Sequence, residues 1–377
     1  MYSPQPLLVI FREYFNESEA RVSLVISAAT LAVALFSPFV GLIADALGRK
    51  RVIVPCLFAL SIATLGSAVA GSLNQLILFR FIAGLCTPGV IAVIIAYISE
   101  ESPGGTAASV MALYVTGTVL GGLTGRLSAA FMADHFSWRY SFVLISILTF
   151  TGAACSLLLL PRSKNFRKQA GWHDAAGAML RHLRNKRLLA TYITGFNALF
   201  CHVGIFTYAN FHLAKPPYSL STSALGMIFL VYALGIIITP LSEKMIDRVG
   251  HRSGAVTAII FISAGALLTL INSLPVFILG LAIASTGIFI IQASSSSHVG
   301  QVAGEYKSAA TGLYVAFYYL GGAAGATALF IPWKLGGWPA LVGAMIFVQC
   351  ISFTAVWRYF RHTGMRTGQI DCLPPDC

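Results

Sequence analysis

Apolar positions along this chain do not alternate with polar ones; they come in long blocks. Residues 22–44, 52–72, 76–98, 109–133, 139–160, 188–213, 223–246, 254–273, 276–299, 309–332 and 338–360 are each predominantly apolar. A helix needs about 20 residues to cross a hydrocarbon core about 30 Å thick. Backbone groups in lipid must bond within their own segment, so each block is predicted to be a transmembrane helix. Continuous rather than alternating hydrophobicity excludes a β-barrel. Pro38, Pro55, Pro88 and Pro240 fall inside these blocks, as spanning helices tolerate. The apolar stretch 1–11 is too short to span and is followed by Arg12 and Glu13. It reads as the end of a first helix whose beginning is missing. The expected fold is therefore all-α and membrane-embedded, with eleven full spans plus a truncated first helix.

The longest polar stretch, 161–187, divides the spans into two sets of about six. It places Trp172, Ala176, Met179, Leu180 and Leu183 on one helical face beside Arg181, Arg184, Lys186 and Arg187. That pattern fits an interfacial amphipathic helix and equally a solvated linker. The two sets repeat one another. Leu113, Tyr114 and Val115 recur as Leu313, Tyr314 and Val315; Leu120, Gly121, Gly122 and Gly125 recur as Leu320, Gly321, Gly322 and Gly325; Trp138 recurs as Trp338, all 200 residues apart. Asp45 and Gly48 recur as Asp247 and Gly250. The expected organisation is a helix bundle over 1–160, a basic linker over 161–187, a second bundle over 188–360 and a tail over 361–377. Two six-helix bundles repeated in parallel are a transporter architecture with its site at midplane between them.

Composition agrees. The chain is 57% hydrophobic and 10% charged, against about 25% charged in soluble domains. Its net charge of +12 raises the question of nucleic acid. Placement answers it. If the loop after Ala44 is cytoplasmic and sides alternate from there, 18 Lys and Arg lie on that side. Five lie opposite (Arg12, Arg21, Arg139, Lys215, Lys334), and Arg80 and Arg126 sit within spans. This positive-inside bias sets orientation, with central loop and C-terminus cytoplasmic, and needs no nucleic-acid partner. The seven cysteines show no metal spacing and are expected as free thiols.

The strongest local pattern is Gly41-Leu42-Ile43-Ala44-Asp45-Ala46-Leu47-Gly48-Arg49-Lys50-Arg51. It is a tight turn in which a carboxylate can meet a helix N-terminus or an arginine. A weaker copy holds Glu243, Asp247, Arg248, Gly250, His251 and Arg252. Arg80 with Gly84 lies near the start of one span, where functional use competes with snorkelling. Gly117, Gly121, Gly122 and Gly125 stripe another, a spacing that suits close helix packing. Arg126 next to them either binds an anionic group or sits at the outer interface.

Together these motifs resemble the major facilitator superfamily. The Asp45 segment is similar to its signature loop between the second and third helices. Arg80 and Gly84 are similar to its fourth-helix motif. The glycine stripe is similar to the fifth-helix motif of its antiporters, except that Gly122 stands where that motif has proline and Arg126 where it has glycine. Ser3 to Leu8 looks like the first-helix end of arabinose-efflux and multidrug-efflux type bacterial inner-membrane members. The resemblance implies twelve helices, a cavity lined by the first, fourth, seventh and tenth, and a latch at the Asp45 loop.

No acidic residue falls at the centre of a span. His202 is the midmembrane titratable group, either a proton carrier or a neutral hydrogen-bonding residue. Thr194, Asn197, Cys201 and Tyr208 share one helical face, as do Ser285, Phe289, Gln292 and Ser296. With Tyr114, Tyr314 and Tyr318 they are candidates to line a pathway for a neutral or amphipathic solute. Bonding between helices is the alternative. Proton-driven export of a small organic solute is expected, by a monomer in the bacterial inner membrane and without a cofactor. One charge crossing about 100 mV yields about 2.3 kcal/mol, enough for a roughly fifty-fold gradient. The chain has no GxxxxGK[ST] loop for nucleotide. Uptake by symport, a transport-dead receptor or scaffold, and an intramembrane enzyme using Ser294 to Ser297 with His298 are the alternatives. The last lacks a paired acid.

Overall fold

The computed structural model describes residues 1–102, 106–161, 172–304 and 307–360. Linker positions 162–171 and the tail 361–377, with Cys372 and Cys377, lie outside the described residues. So do the side chains of Trp172 and Ala176.

Among the described residues the chain is helical without strands. A 3-10 turn, Gln5–Leu7, runs into α1 (Leu8–Phe15), together shorter than a span. Then come α2 (Glu19–Leu47), α3 (Arg49–Ala68), α4 (Leu73–Glu101), α5 (Ala107–His135) and α6 (Trp138–Leu159). The amphipathic segment is α7 (Trp172–Arg184), with Leu180 and Leu183 exposed. The second set is α8 (Lys186–Leu213), α9 (Thr222–Ile228), a 3-10 turn Phe229–Ala233, α10 (Leu234–Leu268), α11 (Leu274–Val302), α12 (Lys307–Ala328) and α13 (Phe330–Tyr359).

Nine helices among the described residues are long and apolar enough to cross a membrane. One of them, Thr222–Leu268, runs through two of the predicted spans, 223–246 and 254–273. Their border is a break at Gly250, whose φ of 81° interrupts α10. The predicted span 309–332 falls on α12, which is not among the nine, and the chain turns into α13 at Phe330 rather than after residue 332.

Serine caps set the helix starts. Ser18, Ser72, Ser137 and Ser221 each accept a hydrogen bond from a first-turn backbone N–H, and Asn185 does the same for α8. These satisfy donors that would otherwise be orphaned at a helix end.

Within the first set, α2 packs on α4, and α3 on α4 and α6; within the second, α10 packs on α11, and α8 on α12, α13 and α11. The sets meet where α2 runs along α12 and α5 along α9. The closest approaches use glycine. A Cβ at Gly84 would stand under 3.0 Å from the Ala29 carbonyl oxygen, and Cβ atoms at Gly321 and Gly325 would be as close to the Phe196 and Phe200 carbonyl oxygens. Real Cβ atoms essentially never come that close, so small residues are required where these backbones touch.

The sequence repeat is visible in three dimensions. Gly48 and Gly250 carry nearly the same backbone conformation (φ 93°, ψ 144° and φ 81°, ψ 160°). Such positive φ is accessible to glycine at little cost. Trp138 and Trp338 are both buried against aromatic rings, Phe11 at 5.4 Å and Phe277 at 5.1 Å. The repeated glycines diverge. Gly321 and Gly325 are pressed against α8, whereas Gly121 meets nothing within 4 Å and Gly125 meets only the Ser3 Cβ at 3.9 Å.

Candidate functional site

Between the two sets lies a cavity of 260 Å³. Tyr2 and Gln5 line it from the chain start, Thr118, Val119, Gly122 and Arg126 from α5, and Leu199, His202 and Val203 from α8. Tyr232 of the 3-10 turn, Phe289 and Gln292 of α11, and Tyr318 and Tyr319 of α12 complete the wall. None of these residues is acidic.

Arg126 is the dominant feature. It lies nine residues inside the end of α5, about 14 Å at 1.5 Å per residue. Its side chain is buried, so it is not at an outer interface. Nε donates to Gln5 Oε1 at 3.1 Å and Nη1 to the Gly122 carbonyl at 2.9 Å. The guanidinium also sits over the rings of Tyr232 (4.5 Å), Phe229 (5.1 Å) and Tyr2 (5.2 Å). An arginine at midspan costs about 2.5–3.5 kcal/mol on insertion scales. Cation–π contacts of about 0.5–2 kcal/mol each offset part of that. The residues touching Arg126 come from across the chain, which is why sequence spacing did not reveal Tyr2, Gln5, Phe229 or Tyr232.

His202 stands at the middle of α8, its ring stacked on Tyr232 at 4.8 Å and edge-on to Phe206 and Phe289 at 5.7 and 6.0 Å. Its Nε2 is buried and has no hydrogen-bond partner. Tyr232 thus contacts Arg126 on one side and His202 on the other.

The structure separates the other candidates. Phe289, Gln292 and Tyr318 line the cavity with His202. Asn197 and Tyr208 do not, which corrects the expectation that their face lines a pathway. Asn197 donates to Ser352 Oγ at 2.8 Å on α13, and Tyr208 donates to the Ala326 carbonyl at 3.0 Å on α12. Between Asn197 and Tyr208 on α8, Cys201 accepts from Gln349 Nε2 at 3.1 Å. These polar groups pair helix to helix because no water reaches them. Tyr114 donates to the Ile91 carbonyl at 3.4 Å and Tyr314 stacks on Tyr318 at 6.0 Å behind the wall, so neither faces the cavity. Arg80 is buried and donates to the Met1 carbonyl oxygen; it does not reach the cavity either, and Gly84 is the α2–α4 contact.

At one end of the molecule, Arg49 joins Asp45 at 2.7 Å to Glu100 at 2.6 Å, binding α2 and α3 to α4. Lys50 Nζ donates to the Leu157 and Leu160 carbonyls at 2.7 and 2.5 Å, capping the end of α6. Gly41 is open, with nothing within 4 Å of a Cβ. In the second loop Arg252 stacks on Trp357 at 3.9 Å, Gly250 makes the turn with a φ of 81°, and Asp247 is exposed. Arg49→Ala removes the cation that two carboxylates share. It is expected to destabilise this end by about 1–2 kcal/mol, discounted for partial exposure of both acids. Thermal unfolding in detergent checks it, with Arg49→Lys retaining part of the loss.

At the opposite end, Glu19 gathers Arg12 at 3.2 Å and Lys215 at 2.9 Å, and accepts from Trp333 Nε1. Asp134 Oδ2 accepts from the Ser223 backbone N–H at 3.3 Å. The contacts to Lys215, Trp333 and Ser223 cross between the two sets and tie them together at that end.

Paired helix sets around an interior cavity, tied together at one end by polar contacts, define a membrane carrier rather than an enzyme. The Major Facilitator Superfamily model matches residues 1–326, and the chain belongs to that family. It is 30% identical to an uncharacterised MFS-type transporter, YybF, of Bacillus subtilis (strain 168), over 95% of this chain and 88% of that one. It is 31% identical to the inner membrane transport protein YnfM of Escherichia coli (strain K12), over 93% and 84%. Among solved structures, the nucleoside transporter NupG (D323A mutant) shares the fold with a TM-score of 0.74 at 15% identity, covering 95% and 94%. The chain is thus a multi-pass secondary transporter of a small-molecule substrate.

Proposed function

We propose that this chain exports a small organic solute in exchange for protons. The solute occupies the Arg126–His202 cavity while first one end and then the other is sealed. The observation that carries this reading is the cavity's position: its wall comes from both helix sets, and the contacts on Glu19 that cross between them are the ones that must part. Helices 1–160 and 188–360 are the rocking units, and the protein works as a monomer. The positive-inside bias puts the Asp45 end, central loop and C-terminus in the cytoplasm of a bacterial inner membrane.

His202 supplies the imidazole in the cavity wall, and imidazole is a side chain that can carry a proton, so it is the proposed proton carrier. Support for export comes from α5: its antiporter-like glycine stripe is not used for close helix packing, since Gly117 and Gly121 face open space. Uptake by symport is a second reading. It is favoured by Tyr232, which touches both Arg126 and His202, so that a solute at Arg126 and a proton on His202 would lie side by side.

Dissipation of a pH gradient in inverted vesicles, screened over organic acids, amines, sugars and amino acids, tests the reading. Solute-dependent proton release by the wild type, lost in His202→Ala while gradient-free counterflow persists, is expected. Unchanged coupling in His202→Ala removes that residue, and solute-driven proton movement of the opposite sign selects symport.

A further inference from the structure

The cavity holds one permanent charge and no counterion. A guanidinium keeps its proton in any protein environment, and the two hydrogen bonds Arg126 makes, to Gln5 Oε1 and the Gly122 carbonyl, orient it without neutralising it. No residue lining the cavity is acidic. Around this cation lie further unused donors. Because Gln5 turns its oxygen to Arg126, its Nε2 is left buried without a partner, and His202 Nε2 is buried without a partner as well. Gln5, Arg126 and His202 are each at least nine-tenths buried. Buried polar groups without partners are costly and rare. Here they converge on one space with aromatic walls.

We propose that the transported solute is an organic anion. Its carboxylate, or a sulfonate or phosphonate in the same role, accepts hydrogen bonds from Arg126 and Gln5, with His202 at the edge. Its apolar body lies among Tyr232, Phe289 and Tyr318. This deepens the proposed function and rests on the cavity being the translocation site. A neutral solute leaves the arginine uncompensated, and a cation is repelled by it. The volume of 260 Å³ falls below the usual pocket range of about 300–1,000 Å³, which favours a compact solute with one anionic end. The sequence reading of a neutral or amphipathic solute looked to the polar faces of α8 and α11. It left Arg126 open between binding an anionic group and sitting at the outer interface, because Tyr2, Gln5, Phe229 and Tyr232, which surround it, are distant in sequence.

The test is ligand-induced thermal stabilisation of the purified full chain in detergent. The probes are a matched panel: benzoate, phenylacetate, hexanoate, benzenesulfonate and phenylphosphonate against benzamide, benzyl alcohol and benzylamine. Anions are expected to stabilise the wild type and their neutral and cationic partners not to. In Arg126→Gln the effective anion binds roughly 10–100-fold more weakly, as loss of a charge-assisted bond implies. Gln5→Glu places a carboxylate against Arg126 and should abolish anion binding while the apo protein melts no lower than wild type, which separates a lost site from a lost fold. Stabilisation by the neutral or cationic members alone, no stabilisation by any anion, or equal anion binding in Gln5→Glu overturns the proposal. Counterflow in proteoliposomes tells the two readings apart. Anion binding without counterflow sinks the carrier reading and leaves the anion site standing. Counterflow of a neutral solute that survives Arg126→Gln does the reverse.

Discussion

Gly321→Val is expected to lower the thermal stability of the detergent-solubilised protein by several degrees, while Gly121→Val, its counterpart 200 residues earlier, leaves it nearly unchanged. The two glycines occupy equivalent places in the repeat and read identically in sequence. At Gly321 the first side-chain carbon would stand under 3.0 Å from the Phe196 carbonyl oxygen on α8, and the two nearest further atoms are also α8 backbone. Backbone cannot rotate aside as a side chain does, so α8 and α12 must separate. Overpacking of this kind costs about 1–3 kcal/mol, and each kcal/mol moves the midpoint of a unit the size of one half by about 2–4 °C. At Gly121 there is nothing within 4 Å, and a substitution with no such conflict usually stays within about 0.5 kcal/mol. Unfolding followed by intrinsic fluorescence decides it. Equal melting of the two variants would mean that the halves pack alike and that the asymmetry is not real.

That contrast marks where sequence reasoning stops. Blocks of apolar residues fixed helix positions because lipid leaves the backbone no other partner, and the Asp45 and Asp247 turns were legible because glycine, carboxylate and arginine lie within one loop. The break at Gly250 was legible too, since it falls in the polar stretch 247–253 between two apolar blocks. Packing partners were not legible. A polar stripe on α8 has the same spacing whether it faces a pathway or another helix. Only the structure shows Asn197 turned to Ser352 and Tyr208 to the Ala326 carbonyl, with His202 on the face between left to the cavity. Arg126 was visible as an anomaly, but its surroundings were not, since Tyr2, Gln5, Phe229 and Tyr232 reach it from distant parts of the chain.

Glu19→Ala is expected to open the sealed end. Glu19 carries contacts to Lys215 and Trp333 of the second set and to Arg12 of its own, so a single carboxylate holds α1, α2, the α8 terminus and α13 together. Removing it leaves two cations facing one another and an indole N–H without its acceptor. Truncating a paired charge at an interface costs about 2–5 kcal/mol when buried. Lys215 is 49% exposed on its side chain, and water screens that part, so about 1–3 kcal/mol is the appropriate range. An equilibrium between two end states moves by the same free energy, roughly 5–150-fold toward the form open at the Glu19 end. The readout is a cysteine at Thr118, which lines the cavity, in a background without the seven native cysteines. Labelling by a membrane-impermeant thiol reagent from the Glu19 side should accelerate about tenfold or more in Glu19→Ala, and Glu19→Gln, which keeps an acceptor for Trp333, should fall between it and the parent. An unchanged or slower rate would show that the seal lies elsewhere. If the rate rises while the apo melting temperature hardly moves, Glu19 acts on the balance between end states and not on the fold.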